Sequence, residues 1–271
     1  MSKLLVPEAL FRDRMESFGF EYLSFESRKL AKGGTYRAKT DRKELAIVVL
    51  GGVCSVKSSR GEWKRFGGRA SVFDGLPYAL YLPIDTTFEV SADTDCDLAL
   101  CYCRAEDIHE PDLITPDRVR IEIRGGGNAT RQINHILTPE FAAQRLLIVE
   151  VFTPAGNWSS YPPHKHDRHN PPGEVDLEEI YYYRIDRPEG YAIQKVYTKD
   201  RRLDETITVR DGQLVIIPEG YHPVVAAHGY NAYYLNALAG SARSMAASDD
   251  PDYAWVRQEW KDKDPRLPLV R

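Results

Sequence analysis

The feature that most constrains how this chain can fold is its rhythm. Short β-like runs recur along most of its 271 residues, and turn residues interrupt them. In the first half the runs are 45–50, 53–56, 70–72, 79–82, 87–90 and 98–103, punctuated by Gly51-Gly52, Gly67-Gly68, Asp74-Gly75 and Pro83. In the second half they are 146–152, 180–185, 192–198, 206–209, 214–217, 224–227 and 232–238. Turn signals there are 186–190, 200–204, Asp211-Gly212 and Pro218-Glu219-Gly220. Many short strands with turns roughly every 8–12 residues indicate an all-β sandwich or barrel. No helical patterns of about 10–15 residues alternate with the runs, which disfavours a parallel α/β sheet. A helix is expected only at 253–261.

The two halves share a theme, and the pattern predicts a duplicated fold divided into residues 1–135 and 136–271. In the first copy a strand ending at Gly51-Gly52 precedes Phe73-Asp-Gly-Leu-Pro77 and Tyr81-Leu-Pro83. In the second, Asp211-Gly-Gln-Leu-Val-Ile-Ile-Pro218-Glu-Gly220 repeats the motif. The segment between them, 104–138, is charged and turn-rich. Its tract Arg124-Gly-Gly-Gly-Asn-Ala-Thr-Arg131 lacks both the P-loop Lys-Ser/Thr and the dinucleotide glycine spacing, and reads as a turn joining the halves.

Composition removes some function classes. The net charge is −4 and no long Lys/Arg block occurs, which argues against nucleic acid as a partner. No apolar run approaches the ~20 residues of a membrane span, and positions 1–10 lack a signal-peptide core, so a cytoplasmic location is expected. The four cysteines, Cys54, Cys96, Cys101 and Cys103, lie in the first half without partners at zinc-finger spacing, and read as buried, reduced thiols.

The chemistry-bearing residues lie in the second half. His164 and His166 are one residue apart, so a strand would point both imidazoles the same way. Glu178-Glu179 opens the aromatic run Ile180-Tyr-Tyr-Tyr183, and the turn Pro218-Glu-Gly220-Tyr leads to His222. Three His and one carboxylate suit a divalent metal: zinc is the first expectation, and manganese, iron, nickel or cobalt are accepted by the same donors. In the strand register Glu179, Tyr181 and Tyr183 share a face and Arg184 points away. The remaining histidines, His109, His135, His169 and His228, read as structural.

These segments resemble the paired motifs of the cupin superfamily, in which Gly, His-x-His and Glu precede a strand and Gly-x5-Pro-x-Gly leads to a third His. Gly212, Pro218 and Gly220 keep the second motif's spacing. His222 arrives one residue early, the motif's Asn is not where it is expected, and an insertion at 167–176 displaces the acid of the first motif. The resemblance implies a bicupin of two jelly-roll β-barrels, an N-terminal copy without metal and a C-terminal copy holding one ion through His164, His166, Glu179 and His222. Glu179 is preferred to Glu178 because the family's Glu directly precedes its apolar strand.

Longer segments narrow the likeness. Trp158-Ser-Ser-Tyr-Pro-Pro-His-Lys-His-Asp167, Glu178-Glu-Ile-Tyr-Tyr-Tyr-Arg184 and Phe73-Asp-Gly-Leu-Pro-Tyr-Ala-Leu-Tyr-Leu-Pro83 resemble the bacterial isomerases of inositol catabolism that act on 5-deoxy-glucuronate. A neighbouring family, the isomerases of 4-deoxy-uronates, shares the Pro-Pro-His-x-His start. The resemblance implies an aldose–ketose isomerase converting 5-deoxy-D-glucuronate to 5-dehydro-2-deoxy-D-gluconate, with a small acidic sugar as partner. The base is left open among Glu179, Lys195 and, through water, Tyr181 or Tyr183, and a metal-assisted hydride shift would need none. Lys165, Arg168, Arg184 and Lys195 are candidates for the substrate carboxylate, and the aromatic cluster Tyr161, Tyr181, Tyr183, Tyr221 and Tyr234 for its hydroxyls. An isomerase of another deoxy-uronate, an iron-dependent oxygenase and a non-catalytic sugar-acid-binding protein remain competing readings. Pairing of exposed edge strands makes a homo-oligomer one expected state.

Overall fold

A computed structural model describes residues 2–271. Among them there is no α-helix: strands are joined by turns and four 3-10 stretches, Glu8–Leu10, Pro116–Arg118, Gly127–Ala129 and Ala254–Glu259. The last falls where a helix was expected. Among the described residues no helix is long and apolar enough to cross a membrane. The strands Ala79–Leu82 and Leu214–Ile217 coincide with the runs read from the sequence. The run 70–72 forms no strand, because the Asp74 carboxylate accepts the Ala70 N–H at 3.0 Å and holds a turn there.

Two compact units form. One comprises residues 9–120, 136–148 and 270–271; the other comprises 1–8, 121–135 and 149–269. The units therefore interleave along the chain rather than meeting at a single boundary after residue 135.

The first unit has a five-stranded sheet, ordered Asp112–Ile114, Ala79–Leu82, Lys43–Gly51, Cys96–Arg104 and Leu23–Leu30. Its second sheet is ordered Thr35–Lys39, Thr87–Ala92, Val53–Ser58 and Gly61–Gly67. Alternation decides what lies between them. Leu45, Ile47 and Val49 share one face and join a single buried cluster with Val56, Phe88 and Val90. Each such side chain contributes about 1.5–3 kcal/mol on burial. On the opposite face Glu44 is fully buried. Its carboxylate accepts the backbone N–H groups of Gln144, Arg145 and Leu146 at 2.8, 2.7 and 2.6 Å, and the Tyr81 hydroxyl at 2.9 Å. None of the four cysteines forms a disulfide, all are buried, and burial pushes the Cys54 and Cys101 thiols up.

The second unit is built on a seven-stranded sheet, ordered Leu5–Val6, Leu214–Ile217, Leu177–Ile185, Ala232–Gly240, Leu147–Thr153, Arg131–Leu137 and Arg120–Arg124. A four-stranded sheet (Trp158–Ser159, Val224–Ala226, Ala192–Tyr197, Asp204–Val209) and a two-stranded pair (His164–Lys165 with Ser248–Asp249) complete it. The segment 104–138, read as charged and turn-rich, supplies three strands, and its glycine tract is the turn between the last two of them. Its charges conceal the signal: Arg120, Glu122 and Arg124 alternate with Ile121 and Ile123 at the strand period.

Candidate metal centre

The floor of the site is the strand Leu177–Ile185, which pairs antiparallel with Ala232–Gly240. The register sets Glu179 opposite Leu238, Tyr181 opposite Asn236 and Tyr183 opposite Tyr234. Directly opposed residues share a face of the sheet, so these six side chains point the same way. Glu178 lies on the other face.

Three histidines cluster above this floor, two of them, His166 and His222, against Glu179. His164 and His166 lie on one face of their short extended segment, and the Leu177 N–H donates to the His166 carbonyl at 2.8 Å, fixing that segment against the floor strand. His222 follows the turn at Gly220. There φ is +86°, and a Cβ would stand 2.6 Å from the Tyr197 carbonyl oxygen. Only glycine combines that backbone with that approach. Tyr197 and Tyr221 exchange backbone hydrogen bonds of 2.9 and 2.8 Å across the turn and carry His222 inward.

One ligating atom from each of His164, His166 and His222 lies within 4.8 Å of the others. Glu179 Oε2 stands 2.9 Å from His166 Nε2 and 3.3 Å from His222 Nε2. The outer ring nitrogens are used elsewhere. His166 Nδ1 lies 3.0 Å from the Leu177 carbonyl and His222 Nδ1 lies 2.8 Å from the Gly220 carbonyl. A carbonyl only accepts, so each Nδ1 carries a proton, and each Nε2 faces the centre, where it offers a lone pair once it carries no proton of its own. His222 Nε2 is buried without a hydrogen-bond partner, its contact with Glu179 lacking hydrogen-bond alignment. A buried polar atom left in that state costs free energy unless something fills the space before it. The geometry thus fits a cation with three imidazole donors and one carboxylate, the second ring nitrogens of His166 and His222 being anchored by backbone carbonyls.

The electrostatics agree. Burial, with His222 and His166 facing it, holds the His164 imidazole well below its usual value and so neutral. Burial also pushes His166 down, but the Glu179 carboxylate outweighs it and the net shift is upward. Burial would raise Glu179; hydrogen bonding and the charges of His166 and His222 bring it down to about 2. A proton shared by His166 and Glu179 thus stands where a cation's charge would otherwise be, and must leave before both can ligate.

Three of the four side chains, His164, His166 and Glu179, border a cavity of about 320 Å³, with His222 buried behind them. That is at the small end of the roughly 300–1,000 Å³ typical of small-molecule sites. Its wall carries Tyr181, Tyr234 and Asn236 from the floor strands, and Ser159 and Ser160 from the segment before His164. Tyr234 and Ser159 hydroxyls are hydrogen-bonded to each other. Burial raises both phenols, Tyr234 to about 12, so both stay protonated at neutral pH and can donate to ligand oxygens.

Several expected residues are not brought there. Lys195 alternates with the inward Gln194 and Val196, lies on the outer face and pairs with Asp204. Tyr183 shares the floor face but lies deeper, its hydroxyl donating to Gln194 Oε1 at 2.9 Å. Arg184 faces outward over the Tyr182 ring and pairs with Asp211. Lys165, between the two inward histidines, points away to Asp167 and Glu174 at 2.6 and 2.7 Å. Tyr161 packs against Trp158 and Tyr253. Strand alternation accounts for Lys165, Arg184 and Lys195 alike: closeness in sequence to a ligand places a residue on the opposite face.

The cavity cations come from elsewhere. Arg124 and Arg131, from the two ends of the Gly-rich tract, and Arg257 from the 3-10 stretch line it, and His135 does too. Arg131, Ile133 and His135 lie at the strand period on Arg131–Leu137, a pattern that could have revealed them once that segment was read as a strand.

Comparison with known proteins agrees with this architecture. The KduI/IolB family model matches residues 8–256. A protein of Geobacillus kaustophilus named 5-deoxy-glucuronate isomerase is 44% identical over 95% of this chain and 96% of its own length. Its namesake in Geobacillus thermodenitrificans is 46% identical over 90% and 89%. A crystal structure of an IolB-like protein from Salmonella typhimurium LT2 superposes with a TM-score of 0.87 at 38% identity, covering 90% of this chain and 94% of that one. Oxalate decarboxylase from Bacillus subtilis, at 12% identity and a TM-score of 0.59 over 84% of this chain and 70% of its own, shares the fold alone. The chain belongs to the KduI/IolB family and is an isomerase.

Proposed function

We propose that the protein is a metal-dependent aldose–ketose isomerase that converts 5-deoxy-D-glucuronate to 5-dehydro-2-deoxy-D-gluconate. The observation that carries the metal dependence is the buried, unpartnered Nε2 of His222 facing Glu179 and two further histidines. The substrate follows the names of relatives similar over most of both chains. A bicupin of two jelly-roll barrels, the metal held in the second copy, is the architecture this reading adopts; two sheets in the first unit and the likeness to oxalate decarboxylase support it.

His164, His166, Glu179 and His222 would hold one divalent ion. Such an ion supplies a Lewis acid for a carbonyl and its neighbouring hydroxyl oxygen. The residues around it do the rest. Tyr181 and Tyr234, kept protonated by burial, donate to sugar oxygens. Ser159 beside Tyr234 offers a buried hydroxyl pair through which a proton can pass between oxygens without change of net charge. In the reaction a hydrogen moves between adjacent carbons while carbonyl and hydroxyl exchange places, so no external oxidant or reductant is required. Lys195 and Tyr183 have no part in this scheme, since neither reaches the cavity. The four unbridged thiols suit a reducing cytoplasm. The test is carbon NMR of purified protein with 5-deoxy-D-glucuronate. Loss of the aldehyde signal and growth of a ketone signal are expected; an unchanged aldehyde in metal-supplemented protein would defeat the reading.

A further inference from the structure

Arg131 is 5% exposed, yet no carboxylate among the described residues lies within ion-pair distance of it. A guanidinium has five N–H donors. Here one of them reaches the Ala129 carbonyl at 3.3 Å, and the Trp260 ring lies 5.7 Å from the guanidinium carbon. The acid whose field reaches Arg131, Glu122, is already hydrogen-bonded to Arg124 at 2.7 and 3.0 Å and to His135 at 2.9 Å. The other two cavity arginines differ: Arg124 has Glu122, and Arg257 has Asp249. Burial, with Arg124 and Arg257 nearby, pushes Arg131 down to about 10, which still leaves it charged at neutral pH. A buried charge is normally paired, and one that is not marks the place where a ligand supplies the partner.

The side chain also faces the right space. Arg131, Ile133 and His135 share the inward face of their strand and line the cavity bordered by His164, His166 and Glu179. The positive field of Arg131 reaches His164.

We propose that Arg131 is the carboxylate anchor of this cavity, pairing with the acid group of a sugar acid and so turning its carbonyl end toward the histidine–glutamate centre. This rests on the isomerase reading for the direction of the substrate, though not for the anion itself. A planar guanidinium matches a carboxylate through two parallel hydrogen bonds, which a lysine cannot reproduce. The chemistry selected is a small monocarboxylate sugar acid over a neutral sugar of the same length. All three arginines line the cavity, and Arg131 is the one without a protein acid to release.

The test compares binding of D-gluconate and D-glucitol to the metal-free full chain by calorimetry, in the parent and in Arg131→Met and Arg131→Lys. The parent should prefer gluconate by at least about tenfold, equivalent to about 1.4 kcal/mol. Arg131→Met should bind both alike, and with metal restored should show a KM for 5-deoxy-D-glucuronate raised more than its kcat is lowered. Arg131→Lys should keep a preference but bind gluconate several-fold more weakly than the parent. Equal binding of the two probes by the parent, or a parental preference in Arg131→Met, overturns the proposal. Should Arg131→Met not fold, Arg131→Lys decides, and parental gluconate affinity there overturns it. A parent that fails to isomerise 5-deoxy-D-glucuronate yet shows the Arg131-dependent preference defeats the isomerase reading and leaves the anchor standing.

Discussion

Replacing Gly220 by alanine tests how the turn and the centre are joined. The position has φ +86°, a region that costs a residue with a Cβ about 1–2 kcal/mol. The new Cβ would lie 2.6 Å from the Tyr197 carbonyl oxygen and 2.9 Å from its carbon, both backbone atoms within a bridge that must open to relieve the contact. Overpacking of this kind adds about 1–3 kcal/mol. Together the substitution should destabilise the metal-free protein by about 2–5 kcal/mol. It should also weaken metal retention, because the Gly220 carbonyl orients the His222 ring at 2.8 Å and the Gly220 N–H is held by Asp167 at 2.8 Å. Urea denaturation gives the first quantity and elemental analysis after dialysis against a weak chelator gives the second. A Gly220→Ala protein within about 0.5 kcal/mol of the parent, the range of ordinary surface substitutions, and with parental metal content would refute this account of the turn.

Other residues give separate expectations. Lys195→Ala removes an outer ion pair with Asp204 and should change kcat by less than about twofold, surface pairs being worth about 0–1 kcal/mol; a loss of a hundredfold in the same assay would return Lys195 to the mechanism. Glu44→Ala strands three backbone N–H groups and the Tyr81 hydroxyl, so a loss of at least about 3 kcal/mol in urea is expected, and a loss under 1 kcal/mol would contradict the clamp. Glu122 is lowered to about 2, chiefly by its hydrogen bond with Arg124, so its contribution to stability is full above its ordinary value of 4.5 and fades as pH falls toward 2. Metal-free parent protein should accordingly lose stability more steeply than Glu122→Gln between about pH 4.5 and about pH 2, the window set by those two values, and parallel curves would show that the pairing adds nothing.

Much of the second unit was legible because its strands carry few charges and its turns use glycine, proline and aspartate where the backbone requires them. The floor strand showed its inward face through Glu179, Tyr181 and Tyr183, and the His-x-His spacing indicated one shared direction. The glycine of Pro218-x-Gly220 declared the turn, which the structure explains through the Tyr197 carbonyl. The cavity cations were hidden for a different reason. Lysines and arginines beside the ligand motifs look near in sequence, but strand alternation turns Lys165, Arg184 and Lys195 away. Arg124 comes instead from a strand whose charged residues mask an apolar alternation, and Arg131 opens the next strand, after a glycine tract that reads as a linker. Distance in sequence carried no information about which cations the seven-stranded sheet gathers. The short strand Leu5–Val6 was invisible for a related reason, since its partner Leu214–Ile217 lies more than two hundred residues away.

The most direct test of the central claim is metal stoichiometry measured alongside isomerisation of 5-deoxy-D-glucuronate, in the parent chain and in His222→Ala, before and after chelation. One divalent ion per parent chain is expected, with activity lost on chelation and restored by adding the ion back, and no retained ion in His222→Ala, which still folds. Full activity in parent protein shown to hold no metal, or a full complement of metal in His222→Ala, would contradict the assignment of His164, His166, Glu179 and His222 as its ligands.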